Sequence, residues 1–215
     1  MKKQKALLFW SSGKDSAMSL YREQQKDEIE IVALVTGIHE QNQQATMHQT
    51  PLSLLQVQAQ ECGLPLWTIS VPWPCPNIVY EQRLQIIIQK AHRENITAIC
   101  FGDLFLEEIR SYRENIFRDS QLQLRFPLWC SASETYQLGE EMIACGIRAT
   151  FVSIGDPIFR QNWLGKEWHE WFGSSNNFEI DPCGENGEFH TFCHHAPIFR
   201  NPISFSHDRK PDPPL

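Results

Sequence analysis

The stretch "KALLFWSSGKDSAMSLY", residues 5–21, joins a short apolar run to an amphipathic one through six small or polar residues, Ser11 to Ser16. Residues 5–10 read as a strand, and Asp15 to about Lys26 as a helix. Between them the chain has the parts of an anion site. Small residues let backbone approach, Gly13 permits an unusual dihedral, and a helix N-terminus presents N–H groups that favour negative charge. The hydroxyls of Ser11, Ser12 and Ser16 and the ammonium of Lys14 add donors. A turn with a Ser or Asp N-cap and an exposed lysine would use the same residues, so residue type alone leaves both readings open. The order of residues excludes one kind of cradle. No glycine stands five residues before Gly13, and Asp15 follows Lys14, so this is not the Walker A pattern. The dinucleotide fingerprint is absent too.

Outward from this loop the chain alternates. "IEIVALV" at 29–35 predicts a second strand, and Leu52, Leu55, Ala59 and Cys62 mark a helix that Gly63 ends. "LWTISV" at 66–71 predicts a third strand. Tyr80, Leu84, Ile87, Ile88 and Ala91 draw one helical stripe, and "ITAICF" at 96–101 predicts a fourth strand stopped by Gly102-Asp103. Four strands alternating with helices imply an α/β, Rossmann-like parallel sheet covered on both faces. Past residue 125 the pattern changes. Pro127 breaks the chain, a helix is expected over 133–145, a strand over 149–154 and a Trp-rich helix over 163–172. From Asn176 on, Gly, Pro and His accumulate, and "FHTFCHH" and "PIFRNPISF" suggest hairpins or loops. The division expected is an N-terminal domain over 1–130, a smaller α+β unit over 131–205, and a Pro-rich disordered tail over 206–215.

Composition narrows the classes. A chain of 215 residues can bury a full core, and 26 acidic against 19 basic side chains give a net charge of −7. That sign argues against a protein that wraps nucleic acid by phosphate contacts. The five apolar residues after Lys5 are too few for an export signal, and no apolar run reaches membrane-spanning length. Seven cysteines without a Cys-x-x-Cys pair fit reduced thiols and a cytoplasmic location. Self-association is left open.

In an open parallel sheet, ligands bind beyond the carboxyl ends of the strands. The residues there are Ser11 to Ser16, Thr36 to His39, and Gly102-Asp103. Arg110 and Arg113 follow on a helix, where each suits a phosphate or carboxylate, although Glu107 and Glu114 offer both ordinary surface pairs. His48 lies in a loop. The segment "DPCGENGEFHTF", 181–192, combines two turn glycines with Glu185, Glu188 and His190, which supply acceptors and a general base near neutral pH. Cys183, His190, Cys193, His194 and His195 do not have a standard zinc spacing.

The loop at 11–16 resembles the PP-loop of the ATP pyrophosphatases, usually Ser-Gly-Gly-x-Asp-Ser, with Ser12 at the first glycine position. Further matches follow in order: Met47-His48, Gly102-Asp103 with Arg110, Pro127-Leu128-Trp129, and the stretch Gly184 to Thr191, "GENGEFHT". Together they resemble the diphthine-ammonia ligase family over residues 6–199, with Phe189 where the family usually has tyrosine. The resemblance implies an ATP-binding domain followed by an acceptor-binding one. It also implies an ATP-dependent carbon–nitrogen ligase that adenylates a carboxylate, releases pyrophosphate and AMP, and transfers ammonia. On that reading Ser11, Ser12, Gly13, Lys14, Asp15, Ser16, Thr36, His48, Gly102, Asp103 and Arg110 bind ATP, and Asp15 and Asp103 hold Mg²⁺. Lys14, Asp15, Glu185, Glu188 and His190 carry the chemistry. The acceptor is a carboxylate on a protein or small molecule. The alternatives are a PP-loop ATPase with another acceptor, such as a metabolite or tRNA, and a nonenzymatic nucleotide sensor.

Overall fold

The computed structural model describes residues 3–46, 48–174 and 180–205, so Met47 and the expected tail at 206–215 lie outside the described residues. At its centre is β1 (Gln4–Phe9), whose Ala6, Leu7 and Leu8 are fully buried. Successive side chains of a strand point to opposite faces. Ala6 and Leu8 enter one hydrophobic cluster and Leu7 enters another, so both faces of the sheet are covered. The other strands are β2 (Ile29–His39), β3 (Leu66–Val71), β4 (Ala98–Cys100) and β5 (Gln123–Arg125), and the order is β3-β2-β1-β4-β5. Every pairing is parallel. Opposite β1, the register shifts between Ala6 and Leu7, where the partners jump from Ile31 to Ala33. Val32 is the extra residue. The bulge exchanges the faces of β2: Ile29 and Ile31 share a cluster with Leu34 and Ile38, while Ala33 and Val35 join the other.

One face is covered by α3 (Asn77–Arg93), through Leu84, Ile87, Ile88 and Ala91, and by Phe117 at the end of α4 (Glu107–Phe117). The opposite face carries α1 (Lys14–Gln24), α2 (Leu52–Cys62) and the C-terminal layer. That layer contains a 3-10 turn at Ala132–Glu134, α5 (Thr135–Ala144), β6 (Arg148–Ile154), α6 (Pro157–Trp163), α7 (Trp168–Ser174) and β7 (Phe189–His195). β6 and β7 form an antiparallel pair. Phe151, Trp168, Trp171 and Phe189 belong to the same cluster as Ala6, Leu8 and Met18, so the C-terminal layer shares its core with the sheet. Among the described residues no helix is long and apolar enough to cross a membrane.

Two expectations are corrected, and one strand was not foreseen. Thr36 to His39 lie within β2 rather than after it, because bonds to β3 continue from Leu34 to His39. The Trp-rich helix is two, α6 and α7, separated where Gly165 takes φ +78°. Of the two pieces read as hairpins or loops, 189–195 forms β7 and 197–205 forms no strand. β5 was not expected from its composition, although "QLQLRF" at 121–126 alternates with a period of two.

α1 is tied to the sheet edge by Glu23, whose carboxylate is 1% exposed between Lys26 Nζ at 2.7 Å and Arg125 Nε at 3.2 Å. Removing the acid leaves the half-buried Arg125 without this partner and beside the cation of Lys26. Glu23→Ala should therefore lower stability by about 3 kcal/mol, seen as a lower urea midpoint with an unchanged slope. An unchanged midpoint would refute this account.

Candidate functional site

β1 lies between β2 and β4, so the chain leaves β1 and β4 at the crevice where strand order reverses. The loop Ser11 to Ser16 lies there, with Gly13 as the N-cap of α1 and no side-chain cap. Asp15 is thus in the first turn and is not a cap. Ser12 takes φ +79°, the left-handed region. A Cβ on Gly13 would lie 2.9 Å from His48 Cε1 and 3.2 Å from the Thr191 carbonyl, so only glycine fits between loop and β7. The end of β4 is also close: a Cβ on Gly102 would lie 3.4 Å from Ser16 N.

Lys14 is 1% exposed. Its Nζ donates to both carboxylate oxygens of Asp15, each at 3.0 Å, and to the Cys183 carbonyl. The rings of Trp168 and Phe189 lie 5.4 and 5.3 Å from it. Burial by itself would lower its pKa, but Asp15 and Asp181 outweigh this and hold the ammonium above its ordinary range. β7 completes the loop's frame. Thr191 Oγ1 accepts from Lys14 N at 3.3 Å, and Cys193 N donates to the Ser12 carbonyl at 2.8 Å.

The two ends of the sequence therefore meet. His48 Nδ1 lies 3.1 Å from the Thr191 carbonyl, which only accepts, so Nδ1 carries the proton and Nε2 is left as an acceptor. Its ring is 4.5 Å from that of His190. Burial, then His190, pushes the His48 pKa down to about 3. Burial and Lys14 also lower His190. Glu185 Oε1 accepts from Leu104 N at 2.8 Å, just past β4. Burial, with Asp15 and Asp103 nearby, pushes its pKa up to about 8 against the pull of the Leu104 amide. Glu188 has a different position: Oε1 accepts from Asp181 N and Asn186 Nδ2, bracing the loop 181–188.

The two helix arginines part company. Arg113 Nε donates to Asp103 Oδ2 at 3.3 Å, with Tyr80 as a second partner, and lies over the Phe101 ring. Arg110 pairs with Glu114 at 2.9 Å and stacks on Phe126 and Trp129. Thr36, in mid-strand, is buried. Among the described residues no cluster of three or more His, Cys, Asp or Glu is arranged to hold a metal ion. Both oxygens of Asp15 are bonded to Lys14 and Oδ2 of Asp103 to Arg113, so either carboxylate would have to share its charge with a bound cation. Sequence reasoning passed over Thr191, Asp181, the Cys183 carbonyl, Trp168 and Gln58. Thr191 sits inside the "GENGEFHT" stretch. Gln58 is a polar residue beside the apolar stripe of α2.

Family models for the diphthamide synthase N-terminal and C-terminal domains match residues 4–124 and 134–211. The chain belongs to the diphthamide synthase family. Two diphthine–ammonia ligases are similar to it, 26% identical in Mus musculus and 27% in Rattus norvegicus, each over 218 residues that span 90% of this chain and 79% of the relative. Among solved structures, the U34-tRNA thiolase NcsA from Methanococcus maripaludis with its 4Fe-4S cluster has a TM-score of 0.42 and 14% identity, covering 67% of this chain and 58% of that one. Membership of the diphthamide synthase family agrees with the enzyme class read from the sequence, an ATP-dependent carbon–nitrogen ligase.

Two pH responses follow from the site. Folded Glu185 keeps a proton that the unfolded chain releases above its ordinary 4.5, so stability falls as pH rises from there to about 8. Melting curves between pH 5 and 8 should show a shallower fall for Glu185→Gln than for the wild type; parallel curves would refute this. Folded His48 stays neutral where the unfolded chain binds a proton, so its effect is lost stability as pH drops from 6.5 toward 3. His48→Asn should lessen acid unfolding across that window, and a melting temperature with unchanged acid dependence would count against it.

Proposed function

We propose that this chain is an ATP-dependent, amide-forming ligase whose acceptor is a diphthine-type carboxylate, as the names of its relatives suggest. A carboxylate oxygen attacks the α-phosphate of ATP, the bond to the β-phosphate breaks, and pyrophosphate leaves. Ammonia then attacks the acyl carbon, AMP departs, and the amide remains. The observation that carries this reading is the meeting of the SSGKDS loop with the 183–191 segment around Lys14, which joins a phosphate cradle to polar residues suited to the second half of the reaction.

Charge accumulates on the departing pyrophosphate, and fixed N–H groups and hydroxyls stabilise it there without needing to reorganise, while Lys14, its protons already met by Asp15 and the Cys183 carbonyl, adds its charge from beneath the loop. Mg²⁺, held by Asp15 and Asp103 with the nucleotide's phosphates, would neutralise part of that charge. Glu185 is the base of the second step. With its pKa pushed up to about 8, Glu185 carries a proton through most of the neutral range, and its ionised fraction, which grows toward pH 8, takes the proton that converts ammonium to ammonia. Asp181 Oδ1 and Glu188 Oε2 are buried oxygens without hydrogen-bond partners, which suits a site that receives an N–H donor. His48 and His190, both held neutral, add no positive charge beside Lys14. The seven free cysteines suit a reducing cytoplasm.

Incubation with ATP, magnesium, ammonium and a diphthine-bearing acceptor should release AMP and pyrophosphate in equal amounts, and only when acceptor is present. ADP as the sole nucleotide product would overturn the proposal. Asp15→Asn, which still offers Lys14 an oxygen, should lower turnover by about a hundredfold or more while leaving the chain folded. Turnover within a few fold of wild type would remove Asp15 from the chemistry.

A further inference from the structure

Behind the phosphate loop, on the side away from the crevice, lies a polar junction. Gln58 of α2 is fully buried. Its Oε1 accepts from Trp10 Nε1 at 2.8 Å, and its Nε2 donates to two main-chain carbonyls, Ser12 at 3.0 Å and Cys193 at 2.7 Å. Reversing this amide would turn its oxygen toward two carbonyl oxygens and its nitrogen toward an indole N–H, so its orientation is fixed. Beside it, Ser12 Oγ and Thr50 Oγ1 are 2.7 Å apart, and both residues are buried.

These contacts converge on Ser12, whose φ of +79° is costly for a residue with a Cβ. Such a conformation persists only where its surroundings hold it. Here the Ser12 carbonyl receives two donors, Gln58 Nε2 and Cys193 N, and its hydroxyl meets Thr50. The carbonyl is thereby turned out of α1, whose first main-chain bond is Ala17 N to Gly13 O. Lys14 N is met by Thr191 Oγ1, while the N–H groups of Asp15 and Ser16 find no main-chain acceptor within the helix and stand at the helix end where an anion is best received.

We propose that Gln58, aided by Thr50, is a positioning residue for the phosphate loop: it holds Ser12 in the left-handed conformation that aims the first N–H groups of α1 at the pyrophosphate portion of the nucleotide. The inference rests on reading this loop as the ATP site. It predicts a selective effect. Ligands that fill the β- and γ-phosphate positions weaken when the junction is loosened, and one that lacks those phosphates does not.

The test is calorimetric titration of the full chain, well below its melting temperature, with ATP, inorganic pyrophosphate and AMP in the presence of magnesium. Gln58→Met should raise the Kd for ATP and pyrophosphate together, by about tenfold, and leave AMP within about twofold. Thr50→Val should act the same way by about threefold. Adding Ser12→Gly to Thr50→Val should restore the lost affinity, because glycine takes positive φ without help. If Gln58→Met fails to fold, the Thr50→Val and double variants decide the matter. Unchanged ATP and pyrophosphate binding in a folded variant, or an equal loss for AMP, would reduce the junction to a packing element and overturn the inference. A wild-type chain that binds neither ATP nor pyrophosphate would overturn the ATP reading itself and this inference with it.

Discussion

A charged ammonium at 1% exposure is tolerated only when its charge and all three of its protons are met. Lys14 meets that condition with two oxygens of its neighbour Asp15 and one carbonyl from Cys183, far along the chain. The first partner is local and cheap to arrange. The second requires residues 181–188 to fold back over the loop, so the buried lysine makes the two ends of the chain depend on each other. Trp168 and Phe189 line the remaining space with ring faces, which attract a cation while excluding water. Without the C-terminal layer, the lysine would simply point into solvent from the start of α1.

β7 works as the template in this arrangement. Within three consecutive residues it receives the Lys14 N–H on a hydroxyl, His48 on the Thr191 carbonyl, and Gln58 on the Cys193 carbonyl, and it donates the Cys193 N–H to Ser12. A strand offers such contacts at fixed spacing, and slipping its register by one residue would turn every side chain to the other face. The register of β7 on β6, set in part by Phe151 and Phe189 in the shared core, is therefore also the register of the phosphate loop.

The sheet was legible because buried parallel strands leave dense apolar runs and the helices between them keep one stripe. Ile29 to Val35 and Leu66 to Val71 are examples. What escaped was decided by pairing and by single residues. β2 continues through Thr36, Gly37 and His39 because β3 lies alongside, which no local pattern records. The 163–172 helix is broken by the dihedral of one glycine. At the site, the residues of the loop and of "GENGEFHT" were readable from type and order, but their contact through β7 was not. Which arginine reaches Asp103 was not readable. Arg110 and Arg113 are three apart on one helix, and only packing over Phe101 and Phe9 distinguishes the inward one. Gln58 looked like an ordinary helix glutamine, because its three partners come from β7 and from two positions of the first strand and its loop.

The charge balance of the site connects its parts. Asp15, Asp103, Asp181 and Glu185 gather around Lys14 and Arg113, so carboxyl groups outnumber cations before any phosphate arrives. Burial, with Asp15 and Asp103 adding to it, keeps a proton on Glu185 far above the usual carboxylate range. A triphosphate entering such a field is repelled unless positive charge comes with it, which is the physical ground for pairing magnesium with ATP in the proposed reaction. The same field attracts ammonium. Once the phosphates have gone, the ionised carboxylates Asp15, Asp103 and Asp181 would be the groups that draw in a cation, and only the ionised fraction of Glu185 would take its proton. One set of acids thus suits both halves of the reaction, and the order of events follows from which charges are present at each stage.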